Sequence, residues 1–236
     1  MKKVFNKNQK IGEIAAIFPK ATDVFMIYKI DFCCGGDRTL QEALKEQNIN
    51  EAEILDELNK AYEAFQNKID ENMDWRKSSM TDLIDYIVIT HHKFMKEELP
   101  ITEQLLSKIL KVHYIDHGPL LSKLHKLFGQ LKSEIEEHLI KEEEILFPLI
   151  KAYEKDPSEE MLQKVLKVMD ETEDEHETAG DILKEMRKIT DDYKVPDTGC
   201  NSFCRTYEKM EAIESDLFQH IHLENNVLFE KLKTKL

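Results

Sequence analysis

One ten-residue pattern occurs twice in this chain, and it limits the fold more than any other feature. Residues His138 to Phe147 read His-Leu-Ile-Lys-Glu-Glu-Glu-Ile-Leu-Phe, and His220 to Phe229 read His-Ile-His-Leu-Glu-Asn-Asn-Val-Leu-Phe. Both are His-x3-Glu-x3-Leu-Phe. Side chains four apart share a helical face. Each copy therefore sets one imidazole and one carboxylate a turn apart, beside apolar residues that must face a core. A buried His or Glu is costly unless paired or metal-bound, and coordination satisfies both at once. Each copy also has a histidine at a matching distance upstream: His92 lies 46 residues before His138, and His176 lies 44 before His220. Two helical hairpins, each giving His and then His-x3-Glu, would pair about a pseudo-twofold axis. The sum is four imidazoles and two carboxylates at one bundle centre. That is too many donors for one zinc ion. It suits two five- or six-coordinate ions, each taking two His, with both Glu bridging. Nitrogen and oxygen donors without thiolate suit iron or manganese, with zinc as the alternative. The ferritin-like carboxylate class uses Glu-x-x-His on two helices. Here only Glu173-x-x-His176 has that spacing, so that class is rejected.

Composition agrees that the repeat lies on helices. The chain has 7 Gly and 6 Pro in 236 residues, where average usage gives about 28 of the two together. Sandwiches, propellers and barrels need more turns than that. With 34% charged and 41% apolar residues, the pattern is that of amphipathic helices and an all-α fold. The net charge is −14, which disfavours nucleic acid and anionic membrane as partners and suits metals or small neutral ligands. No apolar run approaches the roughly 18 residues a bilayer requires. Glu13 and Lys20 interrupt the one stretch that could serve as a signal peptide. Four cysteines do not make a disulfide scaffold, so a cytoplasmic protein with reduced thiols is expected.

Three segments are expected. Residues 1–65 read as a small helical domain: a helix with Ile11, Ile14, Ala15 and Phe18 inward ends at Pro19, and a second covers Ala21 to Ile30. A third starts near Asp37 or Thr39, and a fourth runs from about Asn50. Residues 66–79 lose the apolar period and read as a linker containing Trp75. Residues 80–236 read as an up-down four-helix bundle. Its first helix covers about 81–114 with a bend at Pro100. The second starts after Gly118-Pro119 and is kinked or ended by Pro148. The third is capped by Asp156 and the fourth starts near Asn201 or Ser202.

His92, His138-x3-Glu142, Glu175-His176-Glu177 and His220-x3-Glu224 resemble the hemerythrin-like di-iron domain. Tyr28-x-x-Asp31-Phe32-Cys33-Cys34-Gly35-Gly36, with Thr39-Leu40 after it, resembles the small domain fused to it in the iron–sulfur cluster repair di-iron proteins (the Repair of Iron Centres, or ScdA/YtfE, family). Asp74-Trp75-Arg76 is similar to that family's linker. The resemblance implies a dimeric cytoplasmic stress protein whose two iron ions, oxo- or hydroxo-bridged, help restore clusters damaged by nitric oxide or oxidants by donating iron. It implies His92, His138, Glu142, His176, His220 and Glu224 as ligands, with His92 preferred over the adjacent His91. Glu230 departs from the family, which often has Pro there.

Cys33 and Cys34 precede a helix start, where thiol pKa values fall, and the family pattern makes them a candidate redox dithiol. Cys200 and Cys204 read as structural, His113 and His117 as a surface pair, and His125 and His222 as face-filling residues. Two other functions compete with repair: an oxygen or nitric oxide binding or sensing module, and an enzyme that reduces nitric oxide. A plain oxygen carrier has no need of the Cys33-Cys34 domain.

Overall fold

The computed structural model describes residues 4–66 and 74–235. Among them there is no strand, only an isolated bridge between Lys10 and Thr39. Half of the segment read as a linker, residues 67–73, lies outside the described residues. The helices are α1 (Ile11–Ile17), α2 (Ala21–Ile27), α3 (Leu40–Glu46), α4 (Glu51–Gln66), α5 (Met80–Ile87), α6 (Lys93–Val112), α7 (Tyr114–Lys141), α8 (Phe147–Lys155), α9 (Glu159–Thr190), α10 (Asn201–Leu223) and α11 (Phe229–Lys233). Three π-helical turns, Val88–His92, Glu142–Leu146 and Glu224–Leu228, join α5 to α6, α7 to α8 and α10 to α11. No described helix is long and apolar enough to cross a membrane. The chain divides into two compact units, Met1–Leu83 with Phe218–Leu236, and Ile84–Leu217.

Ile84–Leu217 is a bundle of long antiparallel helices, and its ion pairs give the register. Lys96 meets Glu143 and Glu103 meets Lys132, so α6 and the helical pass of α7 run in opposite directions. Lys123–Glu185 and Lys141–Glu171 set α9 antiparallel to α7. His91–Asp216 and Glu98–Lys209 do the same for α10 against the first pass. The apolar stripes close over Leu99, Leu106, Leu124, Phe128, Val165, Leu183, Phe203 and Tyr207, all buried.

Two starts differ from the sequence reading. Helix α7 begins at Tyr114 and runs through Gly118-Pro119, joined to α6 by His113 alone. Pro119 removes one bond to the Ile115 carbonyl, but Ile115 is exposed, so water can take that acceptor. Helix α9 is capped by Ser158, whose hydroxyl accepts from the Met161 N–H at 3.3 Å; Asp156 instead ends α8. Ser158→Ala should therefore cost about 1 kcal/mol, a fall of roughly 2–4 °C in Tm, whereas Asp156→Ala should leave thermal unfolding nearly unchanged.

In the other unit, α1–α4 enclose Phe5, Ile11, Ile14, Phe18, Phe25, Phe32, Leu40, Ile54 and Leu58, with Tyr62 and Phe218 packed on this core. Thr39 and Glu42 form a reciprocal capping box at α3. Asn226, in the π turn after α10, donates to the Phe32 and Cys33 carbonyls at 3.1 and 3.2 Å. A Cβ at Gly12 or Gly36 would lie 2.3 Å from its Oδ1. Those two glycines are needed where that amide passes.

Candidate metal centre

The helical register turns both copies of the repeat inward. His92, Glu142, His220 and Glu224 have no exposed surface, and His138 and His176 are 6% and 2% exposed. His92 Nε2 lies 3.3 Å from one Glu142 oxygen and His138 Nε2 lies 3.2 Å from the other. His176 Nε2 approaches His138 Nε2 to 3.2 Å. In the second copy, His220 Nε2 is 3.2 Å from Glu224. Two sets of four buried residues could each hold an ion: His92, Glu142, His220 and Glu224, and His138, Glu142, His176 and Glu224. Within each set the donor atoms all lie within 4.8 Å of one another. Both carboxylates belong to both sets. Two donors bound at right angles to one ion, each at about 2.1 Å, stand about 3.0 Å apart. The spacings of 3.2–3.3 Å are close to that. The donor set fits a pair of metal ions.

The three π turns fall at this cluster. His92 closes the first, and Glu142 and Glu224 open the other two. A π turn adds a residue to the helical circuit and rotates the next stretch of helix, and such turns are frequent at functional sites. Pro148 then takes the second position of α8. Glu230 occupies the second position of α11, and the helix resumes there without a proline.

The structure also separates neighbours that sequence could not. His92 Nε2 points at Glu142, and its ring stacks on Phe147 with centroids 5.5 Å apart. His91 faces another way: its Nδ1 lies 3.0 Å from Asp216 and its ring sits edge-on to Tyr86. Sequence reasoning gave no role to Glu143 and Glu175, yet they hold the outer nitrogens. Glu143 accepts at 2.7 Å from His92 Nδ1 and from Lys96. Glu175 sits 2.9 Å from His138 Nδ1 and accepts from Lys141 at 2.9 Å. Partial burial pushes the Glu143 carboxyl up, but Lys96 and His92 outweigh it and hold it below its usual value. The His138 hydrogen bond holds Glu175 down, helped by Lys141 and opposed by burial. Both therefore stay anionic and fix the tautomer that turns Nε2 inward. The available signal was their place beside Glu142 and His176 in sequence, one step round the helix toward the next element. A surface cleft of about 290 Å³, lined by Ile84, Val88, Glu143, Phe147 and Lys151 among others, borders this region.

Cys33 and Cys34 lie outside both sets. Cys33 is buried, its sulfur 3.4 Å from Asp31 and 3.9 Å from the Cys34 sulfur. At Cys33 the direction is opposite to the lowered thiol pKa expected of a helix start. The Cys34 hydrogen bond and burial push the Cys33 thiol well up, and α3 starts only at Leu40. His222 is buried against Phe32, and burial lowers its pKa to about 4, so it stays neutral.

Residues 82–232 match the hemerythrin HHE cation-binding domain, and residues 7–62 match ScdA_N, a domain of unknown function. The chain is 31% identical over 225 residues to the iron–sulfur cluster repair protein ScdA of Staphylococcus haemolyticus, covering 94% of this chain and 96% of that one. It is 35% identical over 228 residues to a probable iron–sulfur cluster repair protein of Haemophilus influenzae, covering 95% and 96%. Against the iron–sulfur cluster repair protein YtfE of Escherichia coli it is 32% identical over 225 residues, covering 95% and 96%.

Proposed function

Because the chain belongs to the hemerythrin HHE cation-binding family, in the form that carries an ScdA_N domain ahead of the bundle, we propose that it repairs damaged iron–sulfur clusters with iron held in the bundle. The observation that carries this reading is the pair of buried four-donor sets sharing Glu142 and Glu224. In it, His92, His138, His176 and His220 would hold the iron together with Glu142 and Glu224, which belong to both sets. Glu143 and Glu175 orient the imidazoles of His92 and His138. The bound iron supplies a redox-active metal that can be handed to a damaged cluster. The donors suit such a transfer, because imidazole and carboxylate hold iron less tenaciously than thiolate, and two carboxylates offset only part of the charge of two cations. Damaged iron–sulfur proteins in the cytoplasm are the clients of this reading, residues 66–79 link its two domains, and the chain acts as a homodimer.

Reaction of nitric oxide or dioxygen at the same centre is the second reading. The same imidazole and carboxylate donors would hold an iron ion whose chemistry extends to such small molecules. The test is iron analysis of the purified full-length protein, followed by reactivation of a nitric-oxide-damaged cluster enzyme. Two irons per chain and reactivation are expected. Absence of iron defeats both readings, whereas catalytic consumption of nitric oxide without reactivation selects the second. Glu143→Gln and Glu175→Gln should each weaken iron binding roughly 10- to 100-fold, measured by chelator competition. Unchanged affinity in both variants would remove these carboxylates from the site.

A further inference from the structure

At the far end of the bundle the chain assembles a second group of chemistry-bearing side chains that the iron site does not use. Cys200 is exposed and immediately precedes α10. Its sulfur lies 3.3 Å from His113 Nε2, although the two are 87 residues apart. His113 is the single residue joining α6 to α7. Its ring packs edge-on to buried Phe203, with centroids 5.4 Å apart, and Phe203 also takes the ring of His117 at 5.9 Å. The turn before Cys200 is tied on both sides. His117 Nε2 lies 2.7 Å from the Thr198 hydroxyl, and the Gly199 N–H donates to the Pro196 carbonyl at 2.7 Å. A Cβ at Gly199 would meet Val195 at 2.5 Å, so the turn requires glycine.

We propose that Cys200, paired with His113, is a reactive thiolate and a modification site for low-molecular-weight disulfides. Three things favour its anion: an imidazole in contact, backbone N–H groups of a helix start, and access to water. His113 acts first and the Phe203 and Ser202 N–H groups add to it, bringing the thiol to about 7 from its usual 9.0. In the reaction the Cys200 sulfur attacks one sulfur of the disulfide. A new S–S bond forms to Cys200, the old one breaks, and the second sulfur leaves as a thiolate. The Cys200 sulfur goes formally from −2 to −1 and the leaving sulfur from −1 to −2, so the exchange balances with no other oxidant. The buried Cys33, with its thiol pushed up, is the opposite case. The site thus gives the protein an oxidation-sensitive thiol separate from the Cys33-Cys34 segment.

The experiment treats the native full-length protein with a limiting amount of 5,5′-dithiobis(2-nitrobenzoate) and maps the labelled cysteine by mass spectrometry. Cys200 should be modified first, and Cys200→Ser should remove the fast phase while Cys204→Ser retains it. His113→Gln should raise the pH midpoint of the fast phase from about 7 toward 9.0. Fewer thiolates and higher nucleophilicity oppose each other, so full reversion slows the reaction at neutral pH by about sixfold. First labelling at Cys34 or Cys204 in the parent protein, which needs no variant, would overturn the proposal. So would an unmoved midpoint in a folded His113→Gln protein.

Discussion

Replacing both shared carboxylates, Glu142→Leu together with Glu224→Leu, is expected to take the protein from two irons per chain to none. Each carboxylate belongs to both four-donor sets, so the double change leaves each set with two imidazoles. Two neutral nitrogens do not hold ferrous or ferric iron against water, and no negative charge remains among the six donors to offset the cations. The fold should survive. Both positions are fully buried, Leu is close in volume to Glu, and in the metal-free parent two buried carboxylates stand within 4.8 Å of each other, a desolvation and repulsion that Leu removes. His92 and His138 keep Glu143 and Glu175 at their outer nitrogens. The metal-free variant should therefore unfold at a temperature no lower than the metal-free parent, with its helical circular dichroism intact. Iron retained at parental stoichiometry in the folded variant would defeat the ligand assignment. Each single variant should lose at least one iron.

The second large effect separates iron holding from repair. Cys33→Ser with Cys34→Ser should keep both irons, because no thiol lies in either donor set. It should lose most of its ability to reactivate a nitric-oxide-damaged cluster enzyme, by about tenfold or more at equal iron content. Transfer from a buried site requires an outer group that can take iron or electrons, and vicinal thiols can do both. The backbone at Cys33 is bonded to Asn226, two residues beyond Glu224. That places the segment on the turn that carries a shared carboxylate. At rest Cys33 is buried and its thiol is held neutral by Cys34 and burial, so Cys34, half-exposed, is the sulfur that meets a partner first. Undiminished reactivation would leave the bundle acting alone, and loss of iron would add a cysteine to the ligand list.

What was legible in the sequence was what helical periodicity encodes within a single element. The 3.6-residue repeat put His138 and Glu142, and His220 and Glu224, on one face, and the scarcity of glycine and proline made the elements helices. The duplicated spacing then paired the hairpins. Helix starts were readable where a cap competes only with its neighbours, as at Thr39. They were misread where two caps stood close, as with Asp156 and Ser158, because the chain direction there is set by how α8 ends.

Contacts across elements were decided by tertiary structure alone. His91 and His92 are equivalent in sequence; a π turn, invisible to a 3.6-residue pattern, aims one at Glu142 and the other at Asp216. Glu143 and Glu175 are ordinary helix-surface acids until the adjacent helices bring His92 and His138 to them. Pro119 reads as a break until the exposure of Ile115 shows that the lost hydrogen bond costs little. Cys200 and His113 are separated by two long helices, and no spacing rule relates them. Periodicity is a property of one helix, so a sequence carries it directly. The approach of two side chains on different helices depends on packing angle and register, which the whole core sets at once.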